Sequence, residues 1–413
     1  MTRKESAGFV TTGHVACALL LLPFFEPLSF NLFVRFGYYT RFFSAVADLF
    51  LLGRLFAASW AFLYCLRKYV IRELVCDKAA VLFFLHVLLM AVSCVVNGSI
   101  GAGIAGQIYN YLGFILLCGI MMRRSPELFL ESGLLMFGTL SLIGCASIFI
   151  HPHGWIKADD AYYLLGGKNT AFPYYFCFIF SYFALKGFFR REVPRIGWLI
   201  VIFTAGAVVA DSSSSTACLL LLLVVYIATQ YFLPVMRGVK PWVLAVILAV
   251  LMISIYMGTV FAPLQSLIKS LGRNATFTGR DVLWAQAVDY LKAHPLFGSG
   301  EHLTFTLKSG NVTNHAHSQY LNRLAKYGAV PFIFLILGLF VLFRRLLFAK
   351  KKLLFNLIGT CVVIYLLHMC FDDYSYNFFL YTVMTAVGLS SGDIKGKASA
   401  GVTDIVLKDM IWH

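Results

Sequence analysis

Two short polar stretches interrupt an otherwise apolar chain, and they hold side chains suited to phosphate and proton chemistry. The first reads Thr278-Gly279-Arg280-Asp281-Val282-Leu283-Trp284, and the second reads Asn314-His315-Ala316-His317-Ser318-Gln319-Tyr320-Leu321. A guanidinium such as Arg280 offers a planar fork that grips two phosphate oxygens at once. A neutral imidazole such as His317 accepts a proton from a hydroxyl. Each has an ordinary alternative, since a histidine between Ala316 and Ser318 is most often just a polar residue at the surface of a loop. His315 and His317 form an HxH pair, but no third ligand stands at a suitable spacing, so no metal site and no cofactor are assigned.

The local pattern says what positions these groups. Thr278 followed three residues later by Asp281 reads as a helix start. Leu283, Ala287, Tyr290 and Leu291 recur at helical spacing, leaving Arg280, Asp281 and Gln286 on the polar side. His294-Pro295 breaks that helix. A second helix is expected from near Ser318 to Tyr327, with Gly328 as its stop. His317 then sits at a helix N-terminus, where the positive end of the dipole favours the neutral ring.

Three further polar patches stand at the ends of apolar runs: Gly166-Gly167-Lys168-Asn169-Thr170, Asp211-Ser212-Ser213-Ser214-Ser215-Thr216, and Asp372-Asp373-Tyr374. Glycine and asparagine suit a plain turn, serines suit a helix cap, and paired aspartates suit an exposed turn, so each patch has a structural as well as a chemical reading. Asp48 and Arg54 fall inside one apolar run, where a charge implies a partner or a pathway. Six residues apart, they point to different helix faces and need not pair with each other. Arg54 either pairs within the bundle or helps to hold a lipid phosphate. Asp159-Asp160 is the nearest acidic pair able to hold a divalent ion. No Walker loop, GxSxG or HExxH occurs.

The chain has 413 residues, 60% hydrophobic and only 13% charged, well below the roughly one-quarter charged content of a soluble domain. About twelve apolar runs, each near the roughly 20 residues that cross a bilayer, predict an all-α integral membrane protein. They lie near 9–28, 42–64, 79–97, 104–122, 128–150, 171–189, 196–211, 216–236, 241–261, 328–344, 353–371 and 374–391. The net charge of +15 gathers in alternate short connections, as with Arg67 and Lys68, Arg123 and Arg124, Arg190 and Arg191, and Arg344 and Arg345. That pattern sets membrane orientation and does not indicate nucleic acid. It puts both termini in the cytoplasm and 262–327 outside. The ten cysteines lie mostly within apolar runs without a CxxC and read as small core residues. The first run, preceded by Arg3 and Lys4, reads as a retained helix. The expected organisation is one polytopic domain over 1–413, an extracytoplasmic catalytic loop over 262–327 carrying short helices, and a cytoplasmic tail over 392–413.

At these residues the chain resembles the bacterial O-antigen ligase and polymerase superfamily. Thr278-Gly279-Arg280 with Leu283-Trp284 is similar to its "GR, two residues, LW" opening, Pro295-Leu296-Phe297-Gly298-Ser299-Gly300 to its "PLxGxG" turn, and Ala316-His317-Ser318-Gln319-Tyr320-Leu321 to "AHNxYL". Lys168-Asn169 resembles the pair before a middle span, and order and spacing agree over about the last two-thirds of the chain. Many members carry "SRTA" where this chain has Ser214-Ser215-Thr216-Ala217, so Ser215 replaces an arginine; Ser318 replaces an asparagine. The resemblance implies a GT-C-like glycosyltransferase, metal-independent and without cofactor. Its donor would be a glycan on undecaprenyl pyrophosphate, its other partners an acceptor glycan, the lipid bilayer and in some systems a chain-length regulator. Arg280 would hold the pyrophosphate and His317 would act as base. Lys168, Asn169, Arg273, Arg323, Ser215, Asp211 and Arg54 are the candidate helpers around pyrophosphate and glycan.

Within the superfamily a polymerase joins one lipid-linked repeat to another, whereas a ligase transfers the finished polymer to a different acceptor such as a lipid A core sugar. The Gly-Lys-Asn run and the serine-threonine variant resemble capsule and exopolysaccharide polymerases, which favours polymerase by analogy. A transporter for the same lipid would also have many spans and intramembrane charges, but paired halves or broken helices are not evident.

Overall fold

The computed structural model describes residues 11–27, 29–37, 39–68, 77–157, 161–189, 194–256, 280–307, 310–349 and 352–391. Arg273, Thr278, Gly279, Asp159-Asp160 and the tail over 392–413 lie outside the described residues.

Each of the twelve apolar runs holds a helix. Among the described residues seven helices are long and apolar enough to cross a membrane: α3 (Thr40–Lys68), α4 (Lys78–Val96), α5 (Ala102–Arg124), α6 (Pro126–Ile150), α7 (Phe172–Phe189), α9 (Ser213–Tyr231) and α14 (Ala329–Phe348). The other five runs hold shorter helices: α1 (Thr12–Leu21) with a 3₁₀ turn over Leu22–Phe25, α8 (Gly197–Val209), α11 (Pro241–Tyr256), α15 (Lys352–Met369) and α16 (Tyr376–Ser390). Short α2 (Ser29–Arg35) lies between runs, and short α10 (Leu233–Gly238) follows α9 at the end of the run 216–236. The ends follow from local chemistry. The Asp77 carboxylate accepts from the Ala79 and Ala80 amides and starts α4. Pro126 starts α6 at a position where its missing N–H costs nothing.

Burial sorts the helices into inside and outside. The aromatic helix α7 is buried almost all round, from Phe172 and Tyr174 to Phe183 and Phe188. It packs on α6, α15 and α16, and a helix apolar on every face belongs in such a core. On α3, Leu49, Leu52, Phe56, Leu63 and Leu66 are exposed at helical spacing. A stripe of that size facing water would be an association surface; facing lipid it costs nothing.

The cap lies on these helices. It contains α12 (Arg280–Ala293), α13 (Gln319–Tyr327) and two small antiparallel sheets, β1 (Ile156–Lys157), β2 (Ala161–Tyr163) and β3 (Gly166–Gly167) in one, β4 (Phe305–Thr306) and β5 (Val312–Thr313) in the other. The strands were not foreseen, because two or three residues are too few to show alternation. A second small core joins the cap to the bundle: Leu283, Trp284 and Ala287 of α12, Phe305, and Leu321 and Ala325 of α13 pack with Met252 of α11 and Cys370.

Candidate active site

The two expected cap helices are present, α12 over Arg280–Ala293 and α13 over Gln319–Tyr327, and the expected helix start at Thr278 lies outside the described residues. Ser318 caps α13 by accepting from the Leu321 amide. Its hydroxyl also stands 2.8 Å from Tyr256 OH, at the end of α11. Tyr256 donates to the Cys370 carbonyl at 3.0 Å. A carbonyl only accepts, so the tyrosine proton is spent there and Ser318 donates to the tyrosine oxygen. That relay fixes the start of α13 against α11 and α15.

The far end of α13 is held by the Pro295–Gly300 turn. The Ser299 and Gly300 amides donate to the last carbonyls of α13, Ala325 and Lys326, each at 2.9 Å. The Ala329 amide returns a bond to the Pro295 carbonyl at 2.8 Å. Backbone meets backbone closely here: a Cβ on Gly298 would overlap the Lys326 carbonyl, and one on Gly328 the Leu296 carbonyl. Both glycines also have positive φ, +64° and +81°, which side-chain-bearing residues rarely adopt. The glycines of the turn and of the helix stop are thus two halves of one junction.

The long loop and all three short polar patches converge on one carboxylate. Asn169 donates to Asp372 Oδ1 at 2.6 Å and Ser214 to Oδ2 at 2.7 Å. The Arg280 guanidinium stands 3.5 Å from Oδ1. Ser212 donates to Asn169 Oδ1, and the hydroxyls of Ser212 and Ser215 are 2.6 Å apart. Ser215 Oγ meets His368 Nε2 at 3.2 Å, and His368 Nδ1 meets Tyr374 OH at 3.1 Å. The imidazole lies flat on Phe172, 3.9 Å between ring centres. The serine run is therefore no simple helix cap: the Ser212 side chain does not cap α9 and bonds across to Asn169 instead. Nor are the aspartates an exposed turn, since Asp372 is 4% exposed. Burial lifts its carboxyl from 3.8 to about 6, against the pull of Arg280, Ser214 and Asn169.

His317 borders this cluster, immediately before the cap of α13. Its φ is +48°, a left-handed value that costs about 1–3 kcal/mol in a non-glycine residue. Its ring meets that of His315 edge-on at 4.3 Å. No hydrogen bond occupies the His317 ring among the described residues. Burial lowers its pKa to about 3, helped by the nearby charges of His315, Arg280 and Lys168. The ring is neutral as the sequence suggests, but through burial and cationic neighbours more than through the helix dipole. His315 is lowered as well, chiefly by burial, while Asp373 opposes the shift.

The other expected residues divide. Asn169 and Ser215 join the Asp372 cluster, and Lys168 lies near enough to act on His317. Asp211 is an exposed turn residue with φ +52° that carries the chain from α8 to Ser212. Arg54 pairs within the bundle, 2.9 Å from Glu26. Arg323 makes other contacts, with Nη1 3.4 Å from Met90 Sδ of α4 and its guanidinium 3.5 Å over the Tyr376 ring. That contact returns about 2 kcal/mol when desolvated, less than the several kcal/mol that burial of an ion costs. His368 was missed, lying in the apolar run Val362-Val363-Ile364-Tyr365-Leu366-Leu367-His368 with no motif around it. Among the described residues no group of three or more His, Cys, Asp or Glu gathers as a metal site.

An apolar groove of 760 Å³ begins beside this cluster at Tyr256, Tyr320 and Cys370, and runs between α11 and α14 to Phe340, Arg344 and Phe348. Comparison with curated proteins finds no match. Asn169 and Asp372 come from outside the segment that family comparison recognises, whereas Arg280 and His317 lie within it. Residues 198–336 match the family model described as O-antigen ligase, and that match supports membership of the O-antigen ligase and polymerase superfamily.

Proposed function

We propose that the protein is a membrane glycosyltransferase that polymerises oligosaccharide repeats carried on undecaprenyl pyrophosphate into a surface polysaccharide. In this reading it crosses a bacterial cytoplasmic membrane about twelve times, with both termini inside and the cap outside. The carrying observation is that Arg280, Asn169 and Ser214 meet on Asp372 beside a His317 ring kept neutral. A cation for a departing pyrophosphate then stands next to a base for an attacking hydroxyl.

The step balances simply. The acceptor hydroxyl oxygen attacks the anomeric carbon of the lipid-linked sugar, and His317 takes the hydroxyl proton. The bond from anomeric carbon to pyrophosphate oxygen breaks, and undecaprenyl pyrophosphate leaves with the electron pair. Pyrophosphate is a good leaving group, so no strong general acid is required. Arg280 offers its fork to the developing charge, with Lys168 adding positive potential. Direct displacement inverts the anomeric centre. The groove from Tyr256 to Phe348 suits the polyprenyl chain, because apolar side chains line it apart from Arg344 and it begins at Tyr256, whose hydroxyl meets Ser318 next to His317.

The same donor chemistry serves a ligase, and the matched family carries that description. Polymerase is preferred on the likeness of Lys168-Asn169 and of Ser215 to capsule and exopolysaccharide enzymes. The test is incubation of the purified protein in nanodiscs with an undecaprenyl-pyrophosphate-linked repeat. Longer glycans with release of undecaprenyl pyrophosphate support polymerase. Transfer only when a lipid A core acceptor is added supports ligase. Movement of intact lipid between leaflets without cleavage refutes both and supports a transporter.

A further inference from the structure

His368 is fully buried, and its ring is fixed on three sides. Phe172 stacks on it at 3.9 Å, Ser215 Oγ lies 3.2 Å from Nε2, and Tyr374 OH lies 3.1 Å from Nδ1. Both nitrogens are thus engaged, and the protons around them can be counted.

The count gives every bond of the Asp372 cluster a direction. An ionised Asp372 only accepts, so Asn169 turns its amide nitrogen to Oδ1 and its amide oxygen to Ser212. That amide oxygen also only accepts, so it takes the single hydroxyl proton of Ser212. The 2.6 Å contact between the Ser212 and Ser215 hydroxyls is then filled by the proton of Ser215. With its proton spent, Ser215 can only accept from His368, so Nε2 carries a hydrogen. In the neutral ring Nδ1 is left as a lone pair, which accepts from the Tyr374 phenol. A separate contact gives the same tautomer. Nε2 faces Asp372 Oδ2 at 3.7 Å, where an N–H is attracted and a lone pair repelled. With the hydrogen on Nδ1 instead, Ser215 would donate to Nε2, and one of the two contacts of Ser212 would lose its proton.

The direction matters at the far end. The oxygen and nitrogen of an amide are alike in size, so packing alone does not fix which way Asn169 faces. Turned over, its oxygen would stand against Asp372 Oδ1, the atom that meets Arg280 at 3.5 Å. The proton of Ser212 prevents this, and His368 aims that proton through Ser215.

We propose that His368 is a positioning residue for the Asp372–Arg280 pair: as its Nε2–H tautomer, backed by the Tyr374 hydroxyl, it drives a one-way chain through Ser215 and Ser212 that keeps the Asn169 amide donating to Asp372. The order of the chain stands on hydrogen-bond geometry. Its use in holding Arg280 for a donor pyrophosphate rests on the glycosyltransferase reading.

Solid-state NMR of the full chain in bilayers, with isotope-labelled histidine, reads which ring nitrogen bears hydrogen. The His368 signals are those lost in His368→Gln. Hydrogen on Nε2 and a bare Nδ1 are expected, and Tyr374→Phe should shift the Nδ1 resonance while Nε2 keeps its hydrogen. Hydrogen on Nδ1 alone, or on both nitrogens, overturns the proposal whatever the protein transfers. In transfer assays with the lipid-linked repeat, His368→Leu should raise KM several-fold with kcat nearly unchanged. His368→Gln, whose amide can present an N–H at the place of Nε2, should recover most of that loss. In an Asn169→Ala background His368→Leu should add little, because it acts through Asn169. Losses that multiply in the double variant, or a glutamine no better than leucine, would reduce His368 to packing and refute the role. Ser215→Ala cuts the chain but leaves the ring on Phe172, so it provides the kinetic answer if His368→Leu does not fold. A wild type with the Nε2–H ring but no transfer sinks the glycosyltransferase reading and leaves the proton order standing.

Discussion

Replacing Asp372 with asparagine tests which group titrates in the working pH range. The variant should fold. Asn can keep its oxygen toward the Asn169 amide, and the Ser214 hydroxyl can turn to accept from the new amide. In the wild type the carboxyl titrates at about 6 and His317 at about 3. If the ionised carboxylate is needed to hold Arg280 in place, the fraction in that form falls from about nine-tenths at pH 7 to about one-tenth at pH 5. Turnover should therefore fall about tenfold over that interval, while His317 remains neutral throughout. Asp372→Asn should be slow at all pH values and flat between pH 5 and 7. Stability provides a second readout. The native carboxyl, lifted from 3.8 to about 6, binds its proton more tightly than the unfolded chain does. Stability should thus fall as pH rises through that window and level off above it, by about 3 kcal/mol at roughly 1.4 kcal/mol per tenfold change in proton affinity. The variant should lack that slope in melting experiments at pH 4.5 and 7. An acid limb near pH 6 that persists in Asp372→Asn and shifts in a His317 variant would mean that His317 titrates there, and the burial argument would fail.

Arg280→Lys keeps the charge but loses the fork, so transfer should drop substantially and donor binding should weaken further in Arg280→Ala; near-normal turnover of Arg280→Ala would put the pyrophosphate elsewhere. His317→Ala should lose about 10²–10⁴-fold in kcat with donor affinity nearly unchanged, and His315→Ala should lose less; the reverse ranking would reassign the base. Gly298→Ala should destabilise the cap by on the order of 3 kcal/mol, from a strained φ together with the Lys326 overlap, seen as a lower melting temperature and faster proteolysis of the cap. Asn169→Ala should raise KM for the lipid-linked donor several-fold with little change in kcat; a fall in kcat at constant KM would mean that Asn169 contacts the transition state instead.

The helices were legible because lipid demands long apolar runs, and those runs are the dominant feature of this sequence. Arg280 and His317 were legible because motif and polarity mark them against that background. The Gly298–Gly328 junction was not, since each glycine looks like a separate turn until the Pro295–Gly300 segment is placed on the last carbonyls of α13. Asp372 was visible as a polar pair but not as the point of convergence, because its partners Asn169, Ser214 and Arg280 lie 203, 158 and 92 residues away along the chain. His368 was hidden altogether, as an imidazole bonded to Ser215 and Tyr374 leaves no trace in a run of valine, isoleucine and leucine. The helix dipole was the wrong emphasis for His317: exclusion of water and the cations Arg280 and Lys168 act more strongly than one helix terminus, and both depend on segments remote in sequence.

The Asp372 cluster also explains how an arginine can be held without being spent. Asp372 Oδ1 takes a 2.6 Å bond from Asn169 and Oδ2 a 2.7 Å bond from Ser214, whereas Arg280 approaches only to 3.5 Å. The carboxylate is therefore satisfied largely by neutral donors, and the guanidinium is oriented by a long contact that a pyrophosphate could outcompete. A shorter, bidentate Asp372–Arg280 pair would sequester the fork, and breaking it would leave a buried carboxylate unpaired. With Asn169 and Ser214 in place that cost is met before any anion reaches Arg280, and Ser212 and Ser215 hold Asn169 in the orientation that meets it. Ser215 fits this design: it supports the carboxylate's neutral donors through Ser212, and in the proposed reaction the positive charge stays on Arg280 and Lys168, beside the proposed base His317.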